Sequence, residues 1–503
     1  MSKALQLTPI IEWIKGICPH GHLFSDSREI KPETDAVFFA YEGDSADGRN
    51  YIAQAIENGA RAIIYESSDF QWNPDWKVDH LGVAGLKANA GPIADAWYGS
   101  PAHSMSIIAV TGTNGKTSTT QWIAQALSRL GKKTAVIGTL GVSIFENGEN
   151  GTSEETGYTT PDQVQLQRIL ADLHTREVKC VAIEASSIGI DQGRLNGLTI
   201  DIALFTNFTR DHLDYHHDMA AYKAAKRRLF DWKNLKHAVV NLDDAMGMEL
   251  ASELKSKMAL TGYSIEGVTA DIPVLRAVDI RNRTSGDEFR IESPFGDSKI
   301  RTQLIGRFNV SNVLGVLGVL LAEGINWDAA VQSLASLAAP PGRMQQMGGK
   351  EAPLVVIDFA HTPDALEKGL STLRHVAGDR NGKLWCIFGC GGDRDHGKRP
   401  VMGEKAQSAD VVIVTSDNPR SEDPKKIMEE IVAGMTTDPI QVEDRATAIL
   451  TAVKQASKND VIFVAGKGHE TYQEVKGVRR PFVDADHVAL ALASRLTTQK
   501  VEP

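Results

Sequence analysis

Residues 106–131 read SIIAVTGTNGKTSTTQWIAQALSRLG, which places a glycine-rich loop between a short apolar run and a helical pattern. The run SIIAV has the length and composition of a buried strand. After the loop, one apolar stripe follows at helical spacing, formed by Trp122, Ile123, Ala126, Leu127 and Leu130. The stretch therefore predicts a strand, a tight loop and a helix, which is the repeating unit of α/β folds.

The loop itself carries the residue types of a phosphate site, namely Gly112, Gly115, Lys116 and Thr117. Backbone N–H groups at a helix N-terminus can hold phosphate, the lysine can neutralise its charge, and the threonine can ligate magnesium. The loop departs from G-x-x-x-x-G-K-[ST], because Val110 occupies the position of the first glycine. An ordinary glycine turn with an exposed lysine is the alternative. The flanking strand and helix favour a site for ATP with Mg²⁺.

Further apolar runs of strand length surround this unit and are separated by helical patterns. They are AVFFA (36–40) and RAIIY (61–65), then TAVIG (134–138), CVAIEA (180–185) and IALFTN (202–207), and finally LVVIDFA (354–360), LWCIFGC (384–390), VVIVTSD (411–417) and VIFVAGKG (461–468). Alternating strands and helices predict mostly parallel sheets covered on both faces. Residues 260–305 instead alternate apolar and polar side chains, which predicts an antiparallel edge element.

Turn-rich segments at 98–104 and 338–344 divide the chain. We expect an α/β protein of three domains, because 503 residues exceed what one core supports. The predicted domains are a small N-terminal α/β domain (1–103), a central domain with the phosphate loop on a parallel sheet (104–340) and a C-terminal Rossmann-like domain (341–503).

Composition narrows the class of protein. The net charge of -10 argues against a surface built to hold nucleic acid. The sequence shows neither an export signal nor an apolar run long enough to span a membrane, so we expect a cytoplasmic protein, working as a monomer. Four scattered cysteines, Cys18, Cys180, Cys386 and Cys390, are typical of buried thiols in a reducing compartment rather than of a disulfide framework or a metal site.

Two strand ends add possible metal ligands. Glu184 follows VAI and His212 lies in TNFTRDHLDYH, so both are expected at the sheet edge that carries the phosphate loop. A helix cap for Glu184 and an ordinary surface or core histidine remain open. Lys226, in AYKAAKRRLF, is by pattern alone one of several basic residues on a solvated helix face.

The chain resembles the Mur ligases from about residue 25 to 490. The resemblance is carried by ten motifs in one order: TGTNGKTS, TTPD, EASSIGIDQGR, TNFTRDHLDYH, YKAAK, GRFNVSN, DFAHTPDALEK, GCGGDRDHGKRP, SDNPR and AGKGHE. It implies three domains that bind a UDP-sugar peptide, ATP and an incoming amino acid. It also implies acyl-phosphate chemistry, in which the substrate carboxylate attacks the γ-phosphate and the amine then displaces phosphate.

Site residues follow from matching these motifs. For catalysis the resemblance implies Lys116, Glu184, His212 and Lys226, with magnesium on Thr117, Glu184, His212 and a carbamylated Lys226, an N6-carboxylysine. The implied ATP contacts are Gly112, Thr113, Asn114, Gly115, Lys116, Thr117, Ser118, Asn309, Asn312, Arg343 and Asp358. Turn formation is the structural alternative for Asn309 and Asn312.

The implied contacts to the UDP-sugar peptide are Ser25, Ser27, Asp44, Ser45, Ala46, Thr159, Thr160, Ser186, Gln192 and Arg194. Hydroxyls and a guanidinium suit a phosphorylated, carboxylated ligand. Local capping and a surface ion pair are the structural alternatives. Ile188 stands where close relatives often have histidine, so that position is given no ligand role.

The run Asp417, Asn418, Pro419, Arg420 resembles the signature of family members that add meso-diaminopimelate, and Arg394, Gly466 and Glu470 match the rest of that pocket. Arg394 and Arg420 can bind a distal carboxylate by a bidentate fork, and Glu470 can take the ammonium. An exposed residue after a turn is the structural alternative for Arg420. The resemblance thus implies addition of meso-diaminopimelate to UDP-N-acetylmuramoyl-L-alanyl-D-glutamate in peptidoglycan synthesis.

Three rival functions remain at this stage. A lysine-adding relative would lack a need for Arg420, because lysine has no distal carboxylate. A noncatalytic nucleotide-binding relative would not need the metal positions. A folate-glutamate ligase would leave the N-terminal module unexplained.

Overall fold

The N-terminal part of the computed structural model is a parallel sheet of four strands in the order β1-β2-β3-β4. The structure describes residues 5–43, 46–283 and 286–499. The strands are β1 (His22–Phe24), β2 (Ala36–Ala40), β3 (Ala62–Glu66) and β4 (Asp79–Val83), and the helices are α1 (Leu7–Ile17), α2 (Ile52–Glu57) and α3 (Leu86–Trp97). Val37 and Phe39 pack on one face of the sheet and Phe38 on the other, so both faces are covered.

The central strands form an eleven-stranded sheet in the order β15-β14-β13-β12-β11-β10-β5-β9-β6-β7-β8. They are β5 (Ser106–Thr111), β6 (Thr134–Gly138), β7 (Gly141–Glu146), β8 (Glu149–Asn150), β9 (Cys180–Glu184), β10 (Ile202–Phe205), β11 (His237–Asn241), β12 (Ala259–Ser264), β13 (Val274–Arg283), β14 (Gly286–Glu292) and β15 (Ser298–Arg301). β9 pairs in parallel with both β5 and β6. β13, β14 and β15 pair antiparallel, which confirms the predicted antiparallel edge.

Eight helices accompany these strands in the described part of the chain. They are α4 (Lys116–Arg129), α5 (Gln163–Thr175), α6 (Ser187–Asp191), α7 (Leu213–His216), α8 (Met219–Arg227), α9 (Ala245–Leu254), α10 (Arg307–Ala322) and α11 (Trp327–Leu334). The predicted apolar stripe of α4 is buried at Trp122, Ile123, Ala126 and Leu127. Leu130 is only half-buried, because the helix ends one residue earlier.

The C-terminal strands form a sheet in the order β16-β17-β21-β18-β19-β20 and a separate hairpin, β22-β23. The strands are β16 (Gln345–Gly348), β17 (Leu354–Asp358), β18 (Leu384–Phe388), β19 (Val411–Val414), β20 (Ile440–Gln441), β21 (Val461–Ala465), β22 (Tyr472–Val475) and β23 (Val478–Pro481). The helices are α12 (Pro363–Asp379), α13 (Lys398–Ala406), α14 (Pro424–Val432), α15 (Arg445–Gln455) and α16 (Asp484–Gln499). Along β17, Val356 and Ile357 pack into cores on opposite faces, as a doubly covered parallel sheet requires.

The α/β fold class with its central parallel-rich sheet is confirmed. Each of the three main sheets lies inside one predicted domain range, while the boundaries at 103/104 and 340/341 stay predictions. By internal contacts the chain divides into two compact units. The first comprises Met1–Thr111, Ile123–Leu204 and Ala224–Ala238, and the second comprises Gly112–Trp122, Phe205–Lys223 and Val239–Pro503.

Across residues 5–43, 46–283 and 286–499, none of the helices combines the length and apolar character that a membrane crossing needs. All four cysteines are buried and free, as predicted for structural thiols. Burial raises the pKa of Cys390 to about 12, so this thiol stays protonated at neutral pH.

Candidate active site

The phosphate loop leaves β5 at Thr111 and enters α4 at Lys116, as the sequence predicts. Gly112 has a φ of +149°, and a Cβ atom there would lie 1.9 Å from Thr206 Oγ1. Only glycine fits at that position. The Lys116 ammonium donates hydrogen bonds of 2.9 Å to the carbonyl oxygens of Gly112 and Thr113, so it lies folded over the loop.

Asn207, which the motif analysis did not single out, supports the loop from the end of β10. Its carbonyl oxygen accepts the Thr113 N–H at 2.8 Å, and its Oδ1 accepts the Asn114 N–H at 2.9 Å. Thr206 donates its hydroxyl to the Asn114 carbonyl at 2.6 Å. These bonds hold the backbone of the loop in place. The only sequence signal for this role is that TN follows a strand end in TNFTRDH.

Several predicted nucleotide contacts lie close to this loop within the second unit. Arg343 Nη2 donates to Thr117 Oγ1 at 3.1 Å, and the guanidinium lies 4.5 Å over the Phe359 ring. Asp358 accepts the Met344 N–H at 2.7 Å. Burial raises the pKa of Asp358 to about 6, although Arg343 opposes the shift.

Asn309 and Asn312 lie in the first turns of α10, and both are buried. The Asn312 side chain lies against Gly115. Asn309 instead donates to the Ile305 carbonyl at 2.9 Å, four residues back along the chain. Asn312 is therefore brought to the phosphate loop, whereas the hydrogen bond of Asn309 supports its own helix. Ser118 is buried in the first turn of α4.

Glu184 is the last residue of β9 and pairs with Val110 of β5. Val110 precedes Gly112 by two residues. Its side chain is buried, and its two oxygens accept the Thr139 N–H at 2.9 Å and the Thr139 hydroxyl at 3.1 Å. The sequence analysis did not identify Thr139. Thr139 follows the end of β6, so these two bonds join Glu184 to a neighbouring strand end.

His212 adopts a left-handed conformation with φ of +52°, and its side chain is 38% exposed. Its Nε2 lies 3.5 Å from Asp211 Oδ2, and His361 Nε2 lies 4.0 Å from the same oxygen. Burial works to raise the pKa of Asp211, but His212, His361 and Lys398 together hold it below its usual range. Asp211 therefore supplies a negative charge beside His212.

Lys226 is almost fully buried, with 1% of its surface exposed. The solvated face suggested by the pattern is wrong for this residue, although Arg228 of the same segment is more than half exposed. Among the residues described here, no three His, Cys, Asp or Glu side chains are grouped closely enough to hold a metal ion by themselves.

Four of the ten residues predicted to bind the UDP-sugar peptide lie together in the first unit, namely Thr160, Ser186, Gln192 and Arg194. Thr160 Oγ1 lies 2.7 Å from the Glu184 carbonyl and 2.9 Å from Ser186 Oγ. Ser186 also caps α6, as the structural alternative expected. Arg194 donates to the Thr160 carbonyl at 2.8 Å and to Gln192 Oε1 at 2.7 Å rather than forming the suggested surface ion pair.

The remaining residues of that set are placed separately. Thr159 Oγ1 lies 3.1 Å from Thr139 Oγ1. Ser25 donates to Asp162 Oδ2 at 2.5 Å, and Asp162 also caps α5. Ser27 is buried and donates to Gln54 at 2.8 Å, and the Ala46 carbonyl accepts a hydrogen bond from the Gly43 N–H. Asp44 and Ser45 lie outside the described residues.

In the second unit, the loop Asp417–Arg420 lies beside Glu470, so two carboxylates, Asp417 and Glu470, are close together. Asn418 Nδ2 donates to Glu470 Oε2 at 2.8 Å, and the fully buried Lys467 ammonium donates to the same oxygen at 2.8 Å. A Cβ atom at Gly466 would lie 2.5 Å from Asp417 Oδ2, so glycine allows this carboxylate its position. Burial and then Asp417 raise the pKa of Glu470, while Lys467 opposes the rise.

Arg420 is not the exposed residue of the structural alternative. It is half-buried with a left-handed φ of +49°, and its Nη1 donates to the Gly392 carbonyl at 2.8 Å. Its backbone pairs with the β22-β23 hairpin, donating to Glu474 and accepting from Lys476. The buried Pro419 precedes it, and Arg394 is exposed on the neighbouring loop, where it donates to the Asp393 carbonyl at 3.0 Å. Two guanidiniums therefore lie on adjoining loops.

Family models match most of the chain. The Mur ligase family catalytic domain matches residues 22–88, the Mur ligase middle domain matches 110–320, and the Mur ligase glutamate ligase domain matches 342–468.

Whole-chain relatives agree with these matches. Two relatives bear the name UDP-N-acetylmuramoyl-L-alanyl-D-glutamate--2,6-diaminopimelate ligase. The protein of Janthinobacterium sp. (strain Marseille) is 58% identical over 97% of both chains, and that of Ralstonia nicotianae is 49% identical over 98% of this chain and 97% of its own. A solved structure of the same name is 36% identical, with a TM-score of 0.64, and covers 94% of this chain and 95% of that chain. From its phosphate loop to its C-terminal sheet, the chain belongs to the Mur ligase family.

Proposed function

We propose that this chain joins meso-diaminopimelate to the D-glutamate carboxylate of UDP-N-acetylmuramoyl-L-alanyl-D-glutamate, using ATP, as a cytoplasmic monomer in peptidoglycan precursor synthesis. The observation that carries the proposal is that one short loop, Asp417–Arg420, bears an arginine and also binds the Glu470 carboxylate through Asn418. A cation and an anion held side by side suit an amino acid with both charges at its distal end. The names of the relatives support the same reaction.

The reaction proceeds in two steps. An oxygen of the D-glutamate carboxylate attacks the γ-phosphorus of ATP, the bond to the β-phosphate oxygen breaks, and ADP leaves. The amine of the amino acid then attacks the acyl phosphate, and inorganic phosphate leaves from the tetrahedral intermediate as the amine loses its proton. Such phosphoryl transfer depends mainly on positioning and charge neutralisation.

Residues of the phosphate loop supply that positioning. The N–H groups from Gly112 to Thr117 and the Lys116 ammonium would hold phosphate oxygens. Arg343, which contacts Thr117, would bring a second positive charge to the nucleotide. Because the loop is already braced by Asn207, little ordering is needed when ATP binds.

Thr117, Glu184 and His212 would hold Mg²⁺, with Lys226 joining them as a carbamate. When bound, Mg²⁺ neutralises the charge that develops on the phosphate oxygens. The oxygen-rich donor set suits this ion, which usually keeps several water ligands. Lys226 is buried, and carbon dioxide modifies the neutral form of a lysine amine.

Residues of the second unit would determine which amino acid is added. Arg394 and Arg420 would bind the distal carboxylate, and Glu470 would bind the distal ammonium. L-Lysine has no distal carboxylate, so its binding would leave these two arginines without the anion that meso-diaminopimelate supplies. The residues around Thr160 and Arg194 in the first unit would bind the UDP-sugar peptide.

Oxygen transfer tests the acyl-phosphate route. The acceptor is prepared with ¹⁸O in the reacting D-glutamate carboxylate and turned over with Mg-ATP and meso-diaminopimelate. The proposal expects one ¹⁸O atom in the released phosphate and a tripeptide product of the correct mass. Unlabelled phosphate alongside the same product would show that the carboxylate is not the group phosphorylated.

A further inference from the structure

Arg399, in the first turn of α13, is a fully buried charge that the proposed reaction does not use. A buried guanidinium is costly unless several acceptors surround it. Its Nη1 and Nη2 donate to the two oxygens of Glu422 at 2.9 and 2.8 Å, and Nη1 also donates to Glu430 Oε2 at 2.8 Å. Nη2 lies 3.2 Å from the Gly391 carbonyl, and Nη1 lies 3.0 Å from His396 Nδ1. These groups therefore surround the Arg399 guanidinium.

The partners of Arg399 lie on the two loops that bear the arginines of the amino-acid pocket. Gly391 comes three residues before Arg394, and Glu422 comes two residues after Arg420. Glu422 Oε1 accepts the Asp393 N–H at 2.5 Å as well as the guanidinium, so one carboxylate joins both loops to Arg399.

Other bonds join the same loops directly. Ser421 donates its hydroxyl to Asp393 Oδ1 at 2.6 Å, and the Gly392 N–H donates to the Asn418 carbonyl at 2.9 Å. Arg420 itself donates to the Gly392 carbonyl. Of these bonds the one between Ser421 and Asp393 is exposed, whereas the Arg399 side chain is buried and joins the loops to α13 and, through Glu430, to α14.

We propose that Arg399 is a positioning residue for the amino-acid substrate, which fixes the loops of Arg394 and Arg420 at the separation that one distal carboxylate requires. The inference rests on the proposed function of those two arginines. The Arg399 hydrogen bonds, more than any other cause, lower the pKa of Glu422 to about 2, so this carboxylate is ionised at neutral pH.

The test compares Arg399→Gln with Arg374→Gln, which removes an exposed arginine paired to Asp410 in the same sheet domain. Michaelis constants for meso-diaminopimelate, ATP and the UDP-sugar peptide are measured with the thermal midpoint. Arg399→Gln is expected to raise the constant for meso-diaminopimelate by about 10- to 100-fold and to leave that for ATP within about twofold. Arg374→Gln is expected to change none of them.

Two further variants protect the test against misfolding and against a purely structural role. Glu422→Gln keeps one acceptor oxygen, so it should fold and give a smaller rise in the same constant, and Arg399→Lys should recover part of the loss. In an Arg420→Ala background, Arg399→Gln should add less than it does alone, because one of the two arginines that it positions is gone.

Equal changes in all three Michaelis constants, a fall in thermal midpoint alone, or additive losses in the double variant would overturn the role of Arg399. Failure of the proposed function would show differently, since the unaltered enzyme would then form no diaminopimelate product.

Discussion

Among single residues, Lys226 provides the sharpest test of the magnesium site. Its side chain is buried while Lys223, one turn earlier on α8, is about one-third exposed. Lys226→Ala is expected to lower kcat by about 100-fold or more, because a ligand of the magnesium ion that neutralises the reacting phosphate would be lost. The measurement is steady-state phosphate release, with the thermal midpoint as a check on folding.

Short carboxylic acids such as formate should restore part of the activity of Lys226→Ala by supplying the missing carboxylate, and Lys223→Ala is the matched control. Near-normal turnover of Lys226→Ala would contradict the proposed carbamate at Lys226.

Glu470 should give the affinity for the amino acid a dependence on pH. Burial and the neighbouring Asp417 raise its pKa, and Lys467 opposes them. Because the ammonium of the substrate needs the ionised carboxylate, affinity should be complete above this raised pKa and fall as the pH drops through it. Lys467→Met should raise the pKa further and move the loss of affinity to higher pH.

This prediction is checked by titrating the Michaelis constant for meso-diaminopimelate between neutral and acid pH in both proteins. Arg445 also lies within electrostatic reach of Glu470 and is unchanged in the comparison. Superimposable pH profiles would show that Lys467 has no influence on Glu470.

The sequence identified residues with distinctive chemistry but not those that hold them in place. Lys116 and Arg420 could be named because a lysine in a glycine loop and an arginine in a known signature are recognisable. Asn207 and Thr139 were missed, because their roles come from hydrogen bonds to residues far away in the chain. Lys467 was missed although its partner Glu470 lies only three residues later. Lys226 could be identified only through the family resemblance, because its basic neighbours make the segment look like a solvated helix face.

At the scale of elements, the phosphate loop depends on the close approach of Gly112 to Thr206. Gly112→Ala places a methyl group where Thr206 Oγ1 now lies and strains the backbone at a φ of +149°. The Michaelis constant for ATP is expected to rise by about 10- to 100-fold, because the loop must shift. Gly378→Ala in α12 is the control, since a Cβ atom there meets nothing within 4 Å. Unchanged ATP kinetics in Gly112→Ala would show that the loop does not bind phosphate.

Element prediction succeeded where apolar runs are uninterrupted. AVFFA and TAVIG coincide with β2 and β6, because a strand buried on both faces is apolar throughout. The hairpin of β22 and β23 was missed, because YQEV and VRRP are polar and at least partly exposed. It holds its place through backbone bonds to Arg420, which no local pattern can indicate.

For the whole molecule, the buried cysteines predict inert thiols. Native protein should react slowly with a thiol reagent, and unfolded protein should titrate four thiols, the full number in the sequence. The burial that holds the pKa of Cys18 at about 11 is the physical reason. Rapid labelling of the native protein, or a thermal midpoint lowered by a reductant, would contradict the description of these residues.

The division into sheets was predictable from turn-rich segments, but the extent of the compact units was not. The second unit takes in Gly112–Trp122 and Phe205–Lys223 together with the C-terminal part of the chain. Contacts such as the bond between Asn114 and Asp364 contribute to this grouping, and they join residues 250 positions apart. Sequence composition does not indicate which distant residues form such pairs.

Phosphate release from Mg-ATP in the presence of the UDP-sugar dipeptide tests the central claim most directly. Meso-diaminopimelate, L-lysine and no amino acid are compared in parallel, and each product is identified by mass. The account predicts phosphate release and a tripeptide with meso-diaminopimelate alone. A lysine-containing product would contradict the roles given to Arg394 and Arg420, and the absence of release with every amino acid would contradict the ligase itself.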